Sequence, residues 1–169
     1  TDLFNNPSNY GYENIPEKPF KNSIKVYGVK GHKGGAKRVI GYINKGDIYS
    51  NDSIMKYKLF MPYAYSHNST VPPEVIIGKP NEICTETFLQ IGTFNTEKEA
   101  QFCLNYIKTK FFRALLFYNR IQQNISRETF NLIPLVKFDN QLNDKNLYKK
   151  FNLTKKEIDY IEENIKEMN

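Results

Sequence analysis

Cations and planar amides are the residues of this sequence best suited to chemistry. Lys30, Lys33, Lys37 and Arg38 cluster with His32 in and beside a run that includes Gly28, Gly31, Gly34 and Gly35. Glycine lets a backbone approach a ligand closely, and lysines so placed suit phosphate oxygens, which give affinity without reading sequence. A second set, Lys110, Arg113 and Arg120, has offsets of 3 and 10. At about 100° per residue these three share one side of a helix. Behind them come Gln122, Gln123, Asn124 and Arg127. Arg can offer two donors to guanine, and Asn or Gln can bond adenine through two atoms. The expectation is that Lys30, Lys33, Lys37, Arg38, Lys110, Arg113 and Arg120 meet a DNA backbone. His32, Gln122, Gln123, Asn124 and Arg127 are expected at base edges.

Catalytic patterns are missing. The sequence has no Gly-x-x-x-x-Gly-Lys-Ser/Thr phosphate loop and no Gly-x-Gly-x-x-Gly dinucleotide loop. Gly28-Val29-Lys30-Gly31 and Gly31-His32-Lys33-Gly34 match a GXXG loop, but that motif needs flanking helices, and strand patterns flank it here. None of the 18 acidic residues has a lysine two positions on, so the Glu/Asp-x-Lys pair of many metal-dependent nucleases is absent. The Asn/Asp-Pro-Pro-Tyr loop of amino-methylating enzymes is absent too; Met61-Pro62-Tyr63 and Pro72-Pro73-Glu74 are the nearest strings. His32 and His67 sit in unrelated loops and do not suggest a shared metal site. Cys84 and Cys103 lack a histidine placed to activate them and read as core residues. No catalytic residue, metal ligand or cofactor is expected in the chain itself.

The elements that must position the cations are legible from periodicity. Ile24–Val29 alternates as a strand, Lys30–Ala36 is turn-rich, and Lys37–Ile43 is a second strand. Together they form a β-hairpin with a basic, glycine-rich tip. Asn44–Asp47 is a turn. Lys56–Met61, Val75–Ile77 and Cys84–Ile91 read as further strands. Thr96 followed by Glu99 is a capping box. It opens a long helix whose pattern runs through Tyr106 and Phe111 to Ile121, with Phe111–Phe117 apolar almost all round and therefore buried. Pro134 keeps Leu132–Val136 extended. Asn143–Lys150 and Thr154–Glu167 are short helices, the second opened by a capping box of Thr154 and Glu157. Strands first and helices after argue an α+β domain. The N-terminal part is a mixed or antiparallel sheet region, followed by the long buried helix and the short C-terminal helices. Residues 1–20 read as an extended arm or linker, 21–169 as one domain, and 139–169 as its C-terminal helical extension.

Net charge is +6 over 169 residues, and its distribution says more than the total. Residues 21–60 carry +7 and residues 101–138 carry +5, with an acidic stretch of −3 between them. If the two basic segments share a side they make a surface for a polyanion; otherwise they are two solvated faces. Twelve Phe and twelve Tyr exclude disorder along the whole length. No apolar run approaches the roughly 20 residues that span a bilayer, so no membrane partner is expected. Two cysteines fit a reducing, cytoplasmic setting.

The later part of the chain holds a resemblance. It rests on Gly78-Lys79-Pro80, Ile83–Leu89, Phe94–Ala100, Tyr106–Arg113, Gln123–Phe130, Ile133-Pro134-Leu135, Leu147–Thr154 and Glu157-Ile158. These resemble the C-terminal, target-recognition-type region of bacterial type II restriction–modification proteins of the Eco57I-like adenine-methyltransferase group. Coverage runs from about Pro19 to the end; the middle block is specific and the hairpin matches loosely. The resemblance implies a target-recognition-domain-like fold that reads double-stranded DNA for methyltransferase or nuclease domains elsewhere in a parent polypeptide. It also implies N6-adenine methylation with S-adenosylmethionine in that parent, with Mg²⁺ as a further cofactor to consider, and neither in this chain.

Two other classes stay open. A catalytic nuclease domain would need clustered carboxylates, and Glu86 is the one acid of that kind, since Glu97 and Glu99 are explained by the helix start. A protein-interaction scaffold would use its lysines for solubility alone.

Overall fold

A computed structural model describes residues 3–31, 35–49, 51–66, 68–120, 124–137 and 142–168. The fold is α+β. Six strands and four α-helices run in the order β1 (Ser23–Lys30), β2 (Lys37–Asn44), β3 (Tyr57–Pro62), β4 (Ile76–Gly78), β5 (Glu82–Cys84), β6 (Phe88–Phe94), α1 (Glu97–Lys108), α2 (Lys110–Asn119), α3 (Asp144–Lys150) and α4 (Lys155–Asn164) among the described residues. The chain divides into two compact units: Thr1–Met61 with Ile76–Asn95, and Pro62–Val75 with Thr96–Asn169. The domain expected over 21–169 includes parts of both units.

The first unit holds two three-stranded sheets, ordered β2-β1-β5 and β4-β3-β6. The first sheet is mixed, with β1 antiparallel to β2 and parallel to β5. Alternation along β1 buries Ile24 and Val26, which join Leu3, Phe4, Ile43 and Ile54 in one core cluster. Within the stretch expected to be an extended arm or linker, Leu3, Phe4, Tyr12 and Ile15 pack onto this core. A side chain on Gly28 or on Gly41 would collide with the Phe4 ring, and one on Gly41 would also strike Ile15. These two glycines leave room for the N-terminal segment to lie on the sheet. Hydrogen bonds that hold it there include Gly31 N–H to Asn5 Oδ1 at 2.7 Å, Tyr42 N–H to the Pro16 carbonyl at 2.8 Å, and Asn44 N–H to the Tyr12 hydroxyl at 2.7 Å, and that hydroxyl in turn donates to Asp47. The composition of residues 1–20 hides this, because the packing residues Leu3, Phe4, Tyr12 and Ile15 are scattered among polar ones.

The second unit contains the helices. The long helix expected from Thr96 to Ile121 is two helices, broken at Thr109 (φ −62°, ψ 148°). Thr109 serves both: its hydroxyl donates to the Tyr106 carbonyl at 2.7 Å, ending α1, and accepts from Phe112 N–H at 3.2 Å, starting α2. Asp144 supplies the rest of the α2 cap, accepting from Lys110 N–H at 3.0 Å and Phe111 N–H at 2.7 Å. The apolar pattern runs straight through the break, so periodicity alone cannot show it. Both capping boxes form, at Thr96/Glu99 and Thr154/Glu157.

Candidate nucleic-acid interface

The β1–β2 register sets the geometry of the hairpin. Lys30 lies opposite Lys37, and Arg38 lies opposite Val29. All three cations are exposed. Like charges directly across a ladder repel, so this end of the hairpin carries an electrostatic cost that a polyanion would relieve. Gly31 has φ of +92°, a turn conformation that glycine adopts freely. His32 and Lys33, at the tip, lie outside the described residues.

Other cations of the basic 21–60 segment are committed within the first unit. Lys25 pairs with Glu82 at 3.1 Å and lies over the Tyr27 ring. Lys45 donates to Asn81 and Lys56 to Asn95. Lys58 is 1% exposed in β3 and donates to the carbonyls of Ser53 and Ile54, at 2.9 and 3.1 Å. Burial pulls its ammonium pKa down.

The helix cations require a correction. Lys110, Arg113 and Arg120 were expected on a DNA backbone, but they are 8%, 2% and 4% exposed. Lys110 Nζ bonds Glu162 at 2.6 Å and Glu167 at 2.7 Å. Arg113 donates to the carbonyls of Lys108, Thr70 and Lys166. Arg120 donates to the carbonyls of Ser66 and Ser69 and stacks 3.9 Å from the Tyr65 ring centroid. These cations organise the second unit from inside and do not face solvent. No local pattern marks this, because the acceptors come mainly from residues 66–70 and 162–167.

The polar segment after α2 is partly visible. Gln122 and Gln123 lie outside the described residues. Asn124 is exposed and bridges to Ala64, while Ile125 N–H donates to the Tyr63 carbonyl at 2.8 Å. Arg127 is exposed at the start of a 3-10 turn, Glu128–Phe130. Asn119 Nδ2 pins that turn by donating to the carbonyls of Glu128 and Thr129. Lys30, Lys37 and Arg38 thus belong to the first unit, and Asn124 and Arg127 to the second.

Burial drives the thiol pKa of both Cys84 and Cys103 up to about 12, so both are protonated and poorly nucleophilic at neutral pH. Glu86 is exposed. Among the described residues, no group of three or more His, Cys, Asp or Glu side chains is placed to hold a metal ion. No helix among them is long and apolar enough to cross a membrane.

No protein-family model matches the chain, and no match was found to a curated protein or a solved structure.

Proposed function

We propose that the chain is a DNA-recognition module of a bacterial restriction–modification protein, positioning separate methyltransferase or nuclease domains on their target. The observation that carries this reading is the pairing of Lys30 with Lys37 beside Arg38 at the exposed end of the hairpin. Strand register sets Lys30 and Lys37 side by side, with Arg38 next along β2 on the opposite face; exposed cations beside a glycine turn suit backbone phosphates. The resemblance of the 78–158 motifs supports the same role and the cytoplasmic setting. In this reading the hairpin grips the backbone, and the exposed Asn124 and Arg127 address base edges. Adenine methylation with S-adenosylmethionine belongs to the parent polypeptide.

The test is binding of the chain to duplex DNA over a salt series. Wild type should lose affinity steeply as salt rises, and a Lys30→Ala, Lys37→Ala, Arg38→Ala variant should show a shallower slope. Equal slopes would remove the hairpin from the interface.

A further inference from the structure

The N-terminal segment and the hairpin enclose a pocket of about 330 Å³ in the first unit. Its walls include Pro7, Ile15, Val39 and Ile40, and Asn14, Glu17 and Lys30 share the same lining. The volume is at the small end of the range for ligand sites. The hydrogen bonds from Gly31 to Asn5, from Tyr42 to Pro16 and from Asn44 to Tyr12 tie one wall to the other. The cleft is therefore built before any ligand arrives.

Each group of the lining asks for something different. Lys30 is in register with Lys37, so this end of the pocket attracts an anion. The aliphatic side chains of Ile15, Val39 and Ile40 suit a flat, apolar body. Glu17, when ionised, can only accept hydrogen bonds, so it needs a donor on that body. Nucleotides combine an anion, a flat ring and a ring-borne donor. We propose that this pocket binds a single nucleotide whose base carries an exocyclic amine: the phosphate lies at Lys30, the base between Ile15, Val39 and Ile40, and the amine at Glu17. Thymine offers only its ring N3–H, flanked by two carbonyl oxygens that repel a carboxylate, and is disfavoured. The inference rests on the DNA-binding reading for one source of the nucleotide, an unstacked base of a bound strand; the other source is a free mononucleotide.

The test follows the methyl signals of Ile15, Val39 and Ile40 by NMR while the whole chain is titrated with dAMP, dCMP, dGMP and dTMP. The first three should move these signals and bind about fivefold or more tighter than dTMP. Glu17→Gln should abolish the preference over dTMP. Lys30→Met should weaken all monophosphates and leave the corresponding deoxynucleosides unaffected. Equal binding of dTMP, or binding of leucine in place of any nucleotide, would overturn the assignment, as would unmoved methyl signals. Competition by a single-stranded oligonucleotide places the nucleotide in DNA; its failure to compete while dAMP still binds places it in the free pool. The readouts are separable: Glu17→Gln removes no cation, so it alters base preference and leaves the duplex salt slope intact. A duplex affinity insensitive to salt would count against the recognition reading and leave the mononucleotide result standing.

Discussion

Arg113 Nη1 donates to the main-chain carbonyl of Lys166 across 2.6 Å, joining α2 to a segment 53 positions further along the chain. The same guanidinium holds the carbonyls of Thr70 and Lys108. A buried guanidinium is tolerable because three acceptors surround it. Its removal strands those carbonyls, each at a cost of about 1–3 kcal/mol. Arg113→Met is expected to lower the unfolding free energy by about 3 kcal/mol or more. Arg113→Lys should recover only part, since an ammonium cannot reproduce the planar fork. Urea denaturation curves measure both variants; a change below about 0.5 kcal/mol in Arg113→Met would contradict a structural role.

The Lys110–Glu162 pair predicts a pH dependence. The Lys110 hydrogen bond holds the Glu162 carboxyl below the usual carboxylate range, and Tyr148 helps. A depressed carboxyl contributes stability above its unfolded value, near pH 4.3, and loses it as pH falls through its folded value. Lys110 is raised, chiefly by its hydrogen bonds to Glu162 and Glu167. Its share is complete below the unfolded value near pH 10.4 and is lost as pH rises through the folded one. The Glu162 side chain is 43% exposed, so solvent screening keeps the pair to about 1 kcal/mol or less. Urea midpoints of wild type and Glu162→Gln should differ at pH 7 and converge in strong acid. A gap that persists there would implicate packing and not charge.

Gly28 and Phe4 test whether the first residues belong to the fold. Gly28→Ala places a methyl against the Phe4 ring and should cost about 1–3 kcal/mol by overpacking. Phe4→Leu in the same chain should restore part of that loss. A double-mutant cycle on thermal or urea unfolding reads the coupling; strictly additive effects would show that the ring does not lie over the glycine.

Under the proposed function, hairpin substitution should act on all DNA sequences alike. Where Lys30, Lys37 or Arg38 neutralises a phosphate, its replacement by Ala should reduce the magnitude of the salt slope by about 0.9. All three are exposed, so the unfolding curve should hardly change. Affinity measured on unrelated duplexes separates this from base reading: weakening confined to one sequence would mean these side chains reach the bases.

Arg127 offers the opposite signature. If it bonds guanine through two donors, Arg127→Ala should weaken the cognate site by about 1–3 kcal/mol and relax discrimination at one position. Under the proposed function, binding to the recognised duplex compared with single-base variants provides the measurement. Uniform loss on every sequence would assign Arg127 to phosphate.

Some features were legible in the sequence because their causes are local. Thr96 with Glu99 and Thr154 with Glu157 close capping boxes within four residues. The alternation of Ile24 and Val26 announces β1, and Asn44 makes its turn by accepting from Gly46 two positions on. What only the tertiary structure decided is which cations face water. Helical offsets correctly put Lys110 and Arg113 on one side, but they cannot say what covers that side. Carbonyls from Thr70 and Lys166 and carboxylates from Glu162 and Glu167 cover it. The same holds at Thr109, where an isolated chain would prefer to continue the helix. Asp144, brought from α3, satisfies the first N–H groups of α2 and makes the break stable. Desolvating a guanidinium or interrupting a helix is tolerated only when distant acceptors are delivered to it, and their delivery depends on how the whole unit packs.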